Sequence, residues 1–306
     1  MDLAISIIQG VLVAATPLVF AAIGELVVEK SGVLNLGVEG LMIVGAIAGF
    51  ATTYETGSFL IGLLVAMGAS AMVAGIFAIV TQLLLANQVA SGLALTMFGL
   101  GLAALVGQSY SGFSLEQFPR LNLPILSDLP ILGGLLFSHD LLIYVSVAVV
   151  VGVGWFLTRT RAGLILRAVG ENHDAAHAIG YSVVWVRCLA ILFGGAMAGL
   201  GGAYLSVVQT PLWVEGMTAG RGWIALALVV FAAWRPGRAL IGAYLFGGIT
   251  ILQLHAQASG VSIASQYLSM LPYLATIAVL VIMSSAGNRA KLKAPDCLGK
   301  PFFASS

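Results

Sequence analysis

Between Gly57 and Leu115 the chain has no Asp, Glu, Lys or Arg. Water-soluble domains are roughly a quarter charged, so an uncharged run of this length must be surrounded by something other than water. In a bilayer a charge held at mid-span costs ~2.5–3.5 kcal/mol on insertion scales. The whole composition answers to that constraint: 60% hydrophobic and 8% charged over 306 residues, with mean hydropathy +1.05. The 38 glycines fit the same solvent, because glycine lets membrane helices approach backbone to backbone. A formal net charge of +1 leaves no basic field for nucleic acid. Cys188 and Cys297 make no disulfide framework and are expected as free thiols. The first apolar stretch lacks a basic leader and a small-residue cleavage site, so it reads as a first span and not a cleaved signal.

A spanning helix needs ~20 apolar residues. On that ruler the candidates are 3–24, 40–53, 59–86, 91–109, 140–158, 187–208, 222–234, 238–256 and 270–286. The fold class is therefore an all-α polytopic bundle of about 8–10 membrane segments. Two candidates, 40–53 and 222–234, are short, and each follows a glycine-rich charged segment. Interrupted hydrophobic segments in both halves of a chain are the pattern of broken or re-entrant helices along a transport path. Residues 1–286 are read as one membrane domain and 287–306 as a loosely ordered polar tail. Ten of the 13 basic residues lie in the loop 159–187, the turn 235–238 and this tail. The positive-inside rule puts all three regions in the cytoplasm of a multi-pass cytoplasmic (inner) membrane protein. The side of the N-terminus depends on whether 25–40 is a loop or re-entrant, and both readings stay open.

Four segments carry chemistry. The first, Gly24 to Gly40, places Glu25, Glu29, Lys30, Asn35 and Glu39 between two apolar runs, with glycines that permit sharp turns. It reads either as a path element, with Glu25, Asn35 and Glu39 offering polar contacts and Glu29 paired to Lys30, or as a surface loop. The second, Arg161 to Tyr181, carries a modest apolar face (Leu164, Ala168, Ala175, Ala176, Ile179) broken at Gly170-Glu171-Asn172. Asn172 or Asp174 can cap a short helix there, and Gly180 can stop it. Such a helix suits a cleft on a soluble partner. His173 and His177 sit one turn apart but lack a third ligand, so no metal is expected. The third, Gly216 to Trp223, sets Arg221 and Trp223 ahead of a short apolar run, with Glu215 in reach of Arg221. The tripeptide Val214-Glu215-Gly216 repeats Val38-Glu39-Gly40, too short a match to establish a duplication. The fourth, Gly194 to Ala203, spaces small residues four apart, as at 195/199 and 198/202, the mark of tight helix packing. No nucleophile elbow, phosphate-binding glycine loop or metal-ligand cluster is present, so ATP, if used, is bound by another chain.

These segments, in this order, resemble the permease subunits of bacterial ABC importers for simple sugars and nucleosides, most closely the nucleoside-type branch. The resemblance rests on Gly24-Glu25-Leu26, Glu29 through Gly40, Gly170-Glu171-Asn172 with Ala175-Ala176 and Gly180, Ala198 to Ala203, Gly220 to Ala227, and Leu271-Pro272-Tyr273-Leu274. Lys30 stands where arginine is more usual. The resemblance implies that two permease subunits, identical or related, form a pathway. Two cytoplasmic ATPase subunits holding ATP and Mg would drive it, and an extracytoplasmic binding protein would deliver the solute. It implies a coupling helix within 161–181, with Arg167, Gly170, Glu171, Asn172, Ala175, Ala176 and Gly180 at the ATPase contact. It also implies a path lined by Glu25, Asn35, Glu39, Arg221 and Trp223, and no cofactor on this chain. The expected mechanism is alternating access for a nucleoside or similar small polar solute. A sugar permease and an ion-coupled secondary transporter with a proton on Glu25 or Glu39 are the alternatives.

Overall fold

The computed structural model describes residues 2–119, 121, 139–258, 294–303 and scattered helical positions between 267 and 281. Ten α-helices account for most of them: α1 (Asp2–Lys30), α2 (Val38–Thr56), α3 (Phe59–Ala78), α4 (Gln88–Gly107), α5 (Leu141–Arg159), α6 (Arg161–Glu171), α7 (His173–Ala178), α8 (Val183–Ala203), α9 (Arg221–Phe231) and α10 (Pro236–Ala258). The described residues hold no strand; one isolated bridge joins Ser114 to Leu212. Among the described residues six helices, counting the π-helical turns that extend α3 and α8, are long and apolar enough to cross a membrane. The expectation of a helical polytopic bundle holds. The candidate 270–286 lies largely outside the described residues.

The glycines decide where the core sits. The helix α8 is central, touching α1, α2 and α3 with different faces. A Cβ on Gly194 would run into Val28 of α1, one on Gly195 into Ala74 of α3, and one on Gly202 into the Met42 carbonyl of α2. Across the α2–α8 crossing, Gly45 lies against the Gly199 backbone. Such close approach maximises dispersion contact where lipid supplies no hydrophobic drive. Small hydroxyls reinforce it: Ser70 donates to the Leu41 carbonyl at 2.8 Å, Ser206 to Ala46 at 2.7 Å and Thr96 to Leu36 at 3.0 Å. By contrast, α3 and α4 expose Leu60, Leu64, Met72, Met97 and Leu105. This is the side-chain distribution of helices whose outer faces meet lipid or another apolar surface.

Both short candidates differ from a simple loop picture. The polar stretch 25–40 is not one loop: α1 runs on through Glu25 and Glu29 to Lys30, a turn occupies 31–37, and α2 starts at Val38. The helix α2 is a continuous 19-residue helix, most of it buried. The second candidate is interrupted as the sequence predicts. Residues 210–214 are irregular and 215–220 are turns, with positive φ at Gly216, Ala219 and Gly220, before the 11-residue α9.

Candidate functional site

Two clusters lie along the bundle. In the first, the buried Glu39 carboxylate reaches from the first turn of α2 to the start of α9. Its Oε1 accepts from Thr218 Oγ1 at 2.6 Å and from the Gly220 amide at 2.9 Å, and its Oε2 accepts from the Gly222 amide at 2.6 Å. A carboxylate on the amides of a helix N-terminus completes donors that have no intrahelical partner, and the macrodipole favours the negative charge there. Gly222 is required by this approach, because a Cβ would collide with the Glu39 backbone. The two glycine-rich segments singled out in the sequence are thus joined to each other.

Other polar groups of this cluster are also engaged. The Glu25 Oε1 accepts from the Asn35 amide at 3.2 Å, and Asn35 Oδ1 accepts from the Gly37 amide at 2.8 Å, closing the turn into α2. The Leu34 amide donates to Gln88 Oε1 of α4 at 2.9 Å. Glu25, Asn35 and Glu39 are all buried. The expected Glu29–Lys30 pair is replaced: Glu29 Oε2 accepts from Trp234 Nε1 at 2.6 Å. Adjacent residues on a helix point in different directions, which is why Glu29 finds a partner far along the chain. The Arg221 guanidinium donates to the carbonyls of Met217 at 2.9 Å and Thr218 at 3.3 Å. Trp223 keeps 38% of its surface exposed. Of the five path candidates, Arg221 and Trp223 are the ones that show side-chain surface.

The second cluster lies at the end of the bundle where α1 finishes and α8 begins. Thr160 ends α5 and caps α6, its Oγ1 accepting from the Gly163 amide at 3.0 Å. Asn172 then breaks the helix and caps α7, Oδ1 accepting from the Ala175 amide at 2.9 Å. Gly180, with φ +93°, stops it. Cap and stop are the ones the sequence predicts. The coupling candidates split into two sets. Gly170 and Ala176 are buried, and a Cβ on Gly170 would fall onto the Lys30 carbonyl. Glu171, Asn172, Ala175 and Gly180 are exposed, as are Leu164 and Ile179; Arg167 is half-buried.

Sequence reasoning missed the centre of this cluster. Arg187, fully buried near the start of α8, donates from Nε to the Ser31 carbonyl at 3.2 Å, from Nη1 to the Lys300 carbonyl at 3.1 Å and from Nη2 to His173 Nδ1 at 3.0 Å. A lone arginine at the edge of an apolar run was the available signal; counting it only as a basic loop residue hid its role. The arginine can only donate, so His173 Nδ1 is the acceptor and the ring is neutral. Burial first, then the Arg187 charge, holds His173 below its ordinary pKa, while the Asp174 carboxylate opposes them.

The tail also departs from expectation. Residues 294–303 are seated on this cluster rather than loose. The Cys297 amide donates to the Gly170 carbonyl at 2.9 Å and the Gly299 amide to Gly32 at 3.1 Å. Phe302 packs edge-on to His173 and His177 beside Val169, Ala176 and Val183. Cys188 and Cys297 are both free thiols. No group of three or more His, Cys, Asp or Glu that could hold a metal occurs among the described residues.

Comparison with known proteins adds the family. A family model described as branched-chain amino acid transport system / permease component matches residues 7–280. The chain is 40% identical over 97% of its length to a putative glucose ABC transporter permease protein, TsgC13, of Haloferax volcanii, covering 97% of that protein. It is 33% identical to the nucleoside ABC transporter permease protein NupC of Lactococcus lactis, over 90% of this chain and 91% of that one. It is 32% identical to the guanosine ABC transporter permease protein NupQ of Bacillus subtilis, over 97% and 96%. No solved structure matches the chain.

Proposed function

This chain belongs to the branched-chain amino acid transport system / permease component family, and from that premise we propose that it is the membrane-spanning subunit of an ATP-driven importer for a nucleoside or simple sugar. The observation that carries the reading is similarity over nearly the full length to permeases of nucleoside and glucose ABC transporters. Two further features support it: a short capped helix presented at one end of a multi-pass bundle, and the absence from the sequence of any nucleotide-binding glycine loop. ATP and Mg then belong to separate ATPase subunits. A second permease chain and an extracytoplasmic binding protein complete the assembly.

In this reading α7 seats in the ATPase, which places α6, α7 and residues 294–303 in the cytoplasm, in keeping with the basic residues at that end. The exposed Ala175 and Ile179 make the contact. Gly170 and Ala176 transmit it, because they pack against the end of α1 and against Phe302. The Glu39–α9 junction is the moving part of the path. Glu25, Asn35 and Glu39 fix its shape, while Trp223 and Arg221 present surface to the solute. Contacts to cargo must stay weak enough for release.

The test is reconstitution of the chain in vesicles with its ATPase and permease partners. ATP-dependent uptake of guanosine or glucose is expected, and an Ala175→Glu, Ile179→Glu double variant should stop it while the protein remains in the membrane. Uptake by this chain alone under an ion gradient would establish the secondary-transporter reading instead.

A further inference from the structure

A second polar place lies at the other end of the bundle. A cavity of about 230 Å³ is lined by Gln9 of α1, Gln117, His139, Asp140 at the start of α5, and Tyr204 and Gln209 on the turn that ends α8. Three helices fix its depth. The α1 helix enters from this end and finishes at the coupling cluster, α5 starts here and finishes beside α6, and α8 runs from Arg187 at the coupling cluster to this cavity. The cavity is therefore at the far mouth of the bundle from α7.

Its walls are built and not incidental. Buried Asp140 accepts from the Tyr204 hydroxyl at 2.8 Å through Oδ2 and from the Ile143 amide at 3.1 Å through Oδ1, which fixes the carboxylate between α5 and α8. Residues 204–209 form a π-helical turn, a local widening of the helix that recurs at functional sites. The Leu115 amide donates to the Pro211 carbonyl at 2.8 Å, holding the segment with Gln117 and Phe118 alongside. Gln209 Oε1 is buried and has no hydrogen-bond partner among the described residues. An unpaired buried acceptor costs on the order of 1–3 kcal/mol unless something donates to it, and none of the described residues does so.

We propose that this cavity is an outer-mouth binding site for one neutral polyhydroxylated ring, a hexose or the ribose of a nucleoside. Gln209 Oε1 and the fixed Asp140 carboxylate accept from ring hydroxyls, the carboxamides of Gln9 and Gln117 and the His139 ring adapt to the others, and Phe118 covers a face of the ring. The Asp140 charge turns away anions. The volume lies below the ~300–1,000 Å³ of drug-sized sites, so one ring enters and a nucleobase stays outside. The site rests on the importer reading for its purpose, because a solute handed over outside needs a first stop, but its occupancy can be measured without ATP.

The measurement uses the full-length chain, assembled with its partners, with Cys188 and Cys297 replaced by Ser and a single thiol introduced by Val13→Cys on the cavity wall. Alkylation of that thiol is followed with glucose, ribose, guanosine or a charged sugar phosphate present, and ATP-driven uptake is measured in the same vesicles. Protection by at least one neutral ring and none by the phosphate is expected. The solute that protects separates the sugar source from the nucleoside source. Gln209→Leu should raise the concentration giving half protection roughly three- to tenfold, and Gln209→Asn, which keeps an acceptor, should raise it less. Uptake with no protection by any of the three overturns the site and leaves the importer reading standing. Protection without uptake supports the site and removes the importer reading; absence of both rejects the two together.

Discussion

Glu39 shows what one side chain contributes. Its carboxylate satisfies three donors at the head of α9, and hydrogen bonds to charged groups contribute ~1.5–3 kcal/mol each. Glu39→Ala should therefore cost about 3 kcal/mol or more. Glu39→Gln keeps one acceptor oxygen but turns an amide donor toward the Gly222 amide, and should cost ~1–3 kcal/mol. Thermal unfolding in detergent gives the order; equal stability of all three proteins would remove Glu39 from the α2–α9 junction. The same reasoning applies to Trp234→Phe. It removes the 2.6 Å donor to Glu29 while keeping an aromatic ring, with an expected loss of ~1.5–3 kcal/mol in the same assay.

At the scale of elements, Arg187 ties three pieces of chain together: the turn after α1, the first residue of α7 and the tail. Arg187→Ala should free residues 294–303, seen as faster amide hydrogen exchange at 297 and 299. Arg187→Lys should restore the tail only in part, since a point charge cannot serve three acceptors in a fork. The tie also depends on pH. His173 must be neutral to accept from Arg187, and its folded pKa is lowered, so its contribution is complete above the unfolded value of ~6.5 and is lost as pH falls through the folded value. Lys300 adds to the repulsion on protonation and Asp174, 3.7 Å from Nε2, offsets it. Exchange at 297 and 299, corrected for intrinsic rates, should therefore rise between neutral and mildly acidic pH in the wild type. It should stay flat in His173→Asn, whose carboxamide still accepts. The α2–α8 crossing makes a second prediction. Gly45→Leu sets a side chain on the Gly199 backbone, and the overpacking cost of 1–3 kcal/mol seen in ordinary cores is a lower bound where backbone cannot yield. Loss of folded protein from the membrane is the expected outcome.

For the whole molecule, the sequence by itself determined the solvent, and with it the class: uncharged runs as long as a bilayer admit only helices with internal hydrogen bonds or closed barrels, and run lengths and spacing select helices. It also determined how the segment 161–181 breaks and ends, because caps and stops are local; Asn172 and Gly180 act on amides a few residues away. The tertiary structure alone decided what the buried polar groups do. Glu39 meets Gly222, Glu29 meets Trp234 and Arg187 meets Ser31 across more than a hundred and fifty residues of chain. A buried donor or acceptor must find some partner, but only the packing of α2 on α9 or of the tail on α6 fixes which one. The tail shows the difference most plainly: its composition reads as a free end, and two backbone hydrogen bonds with one buried phenylalanine seat it against α6 and α7.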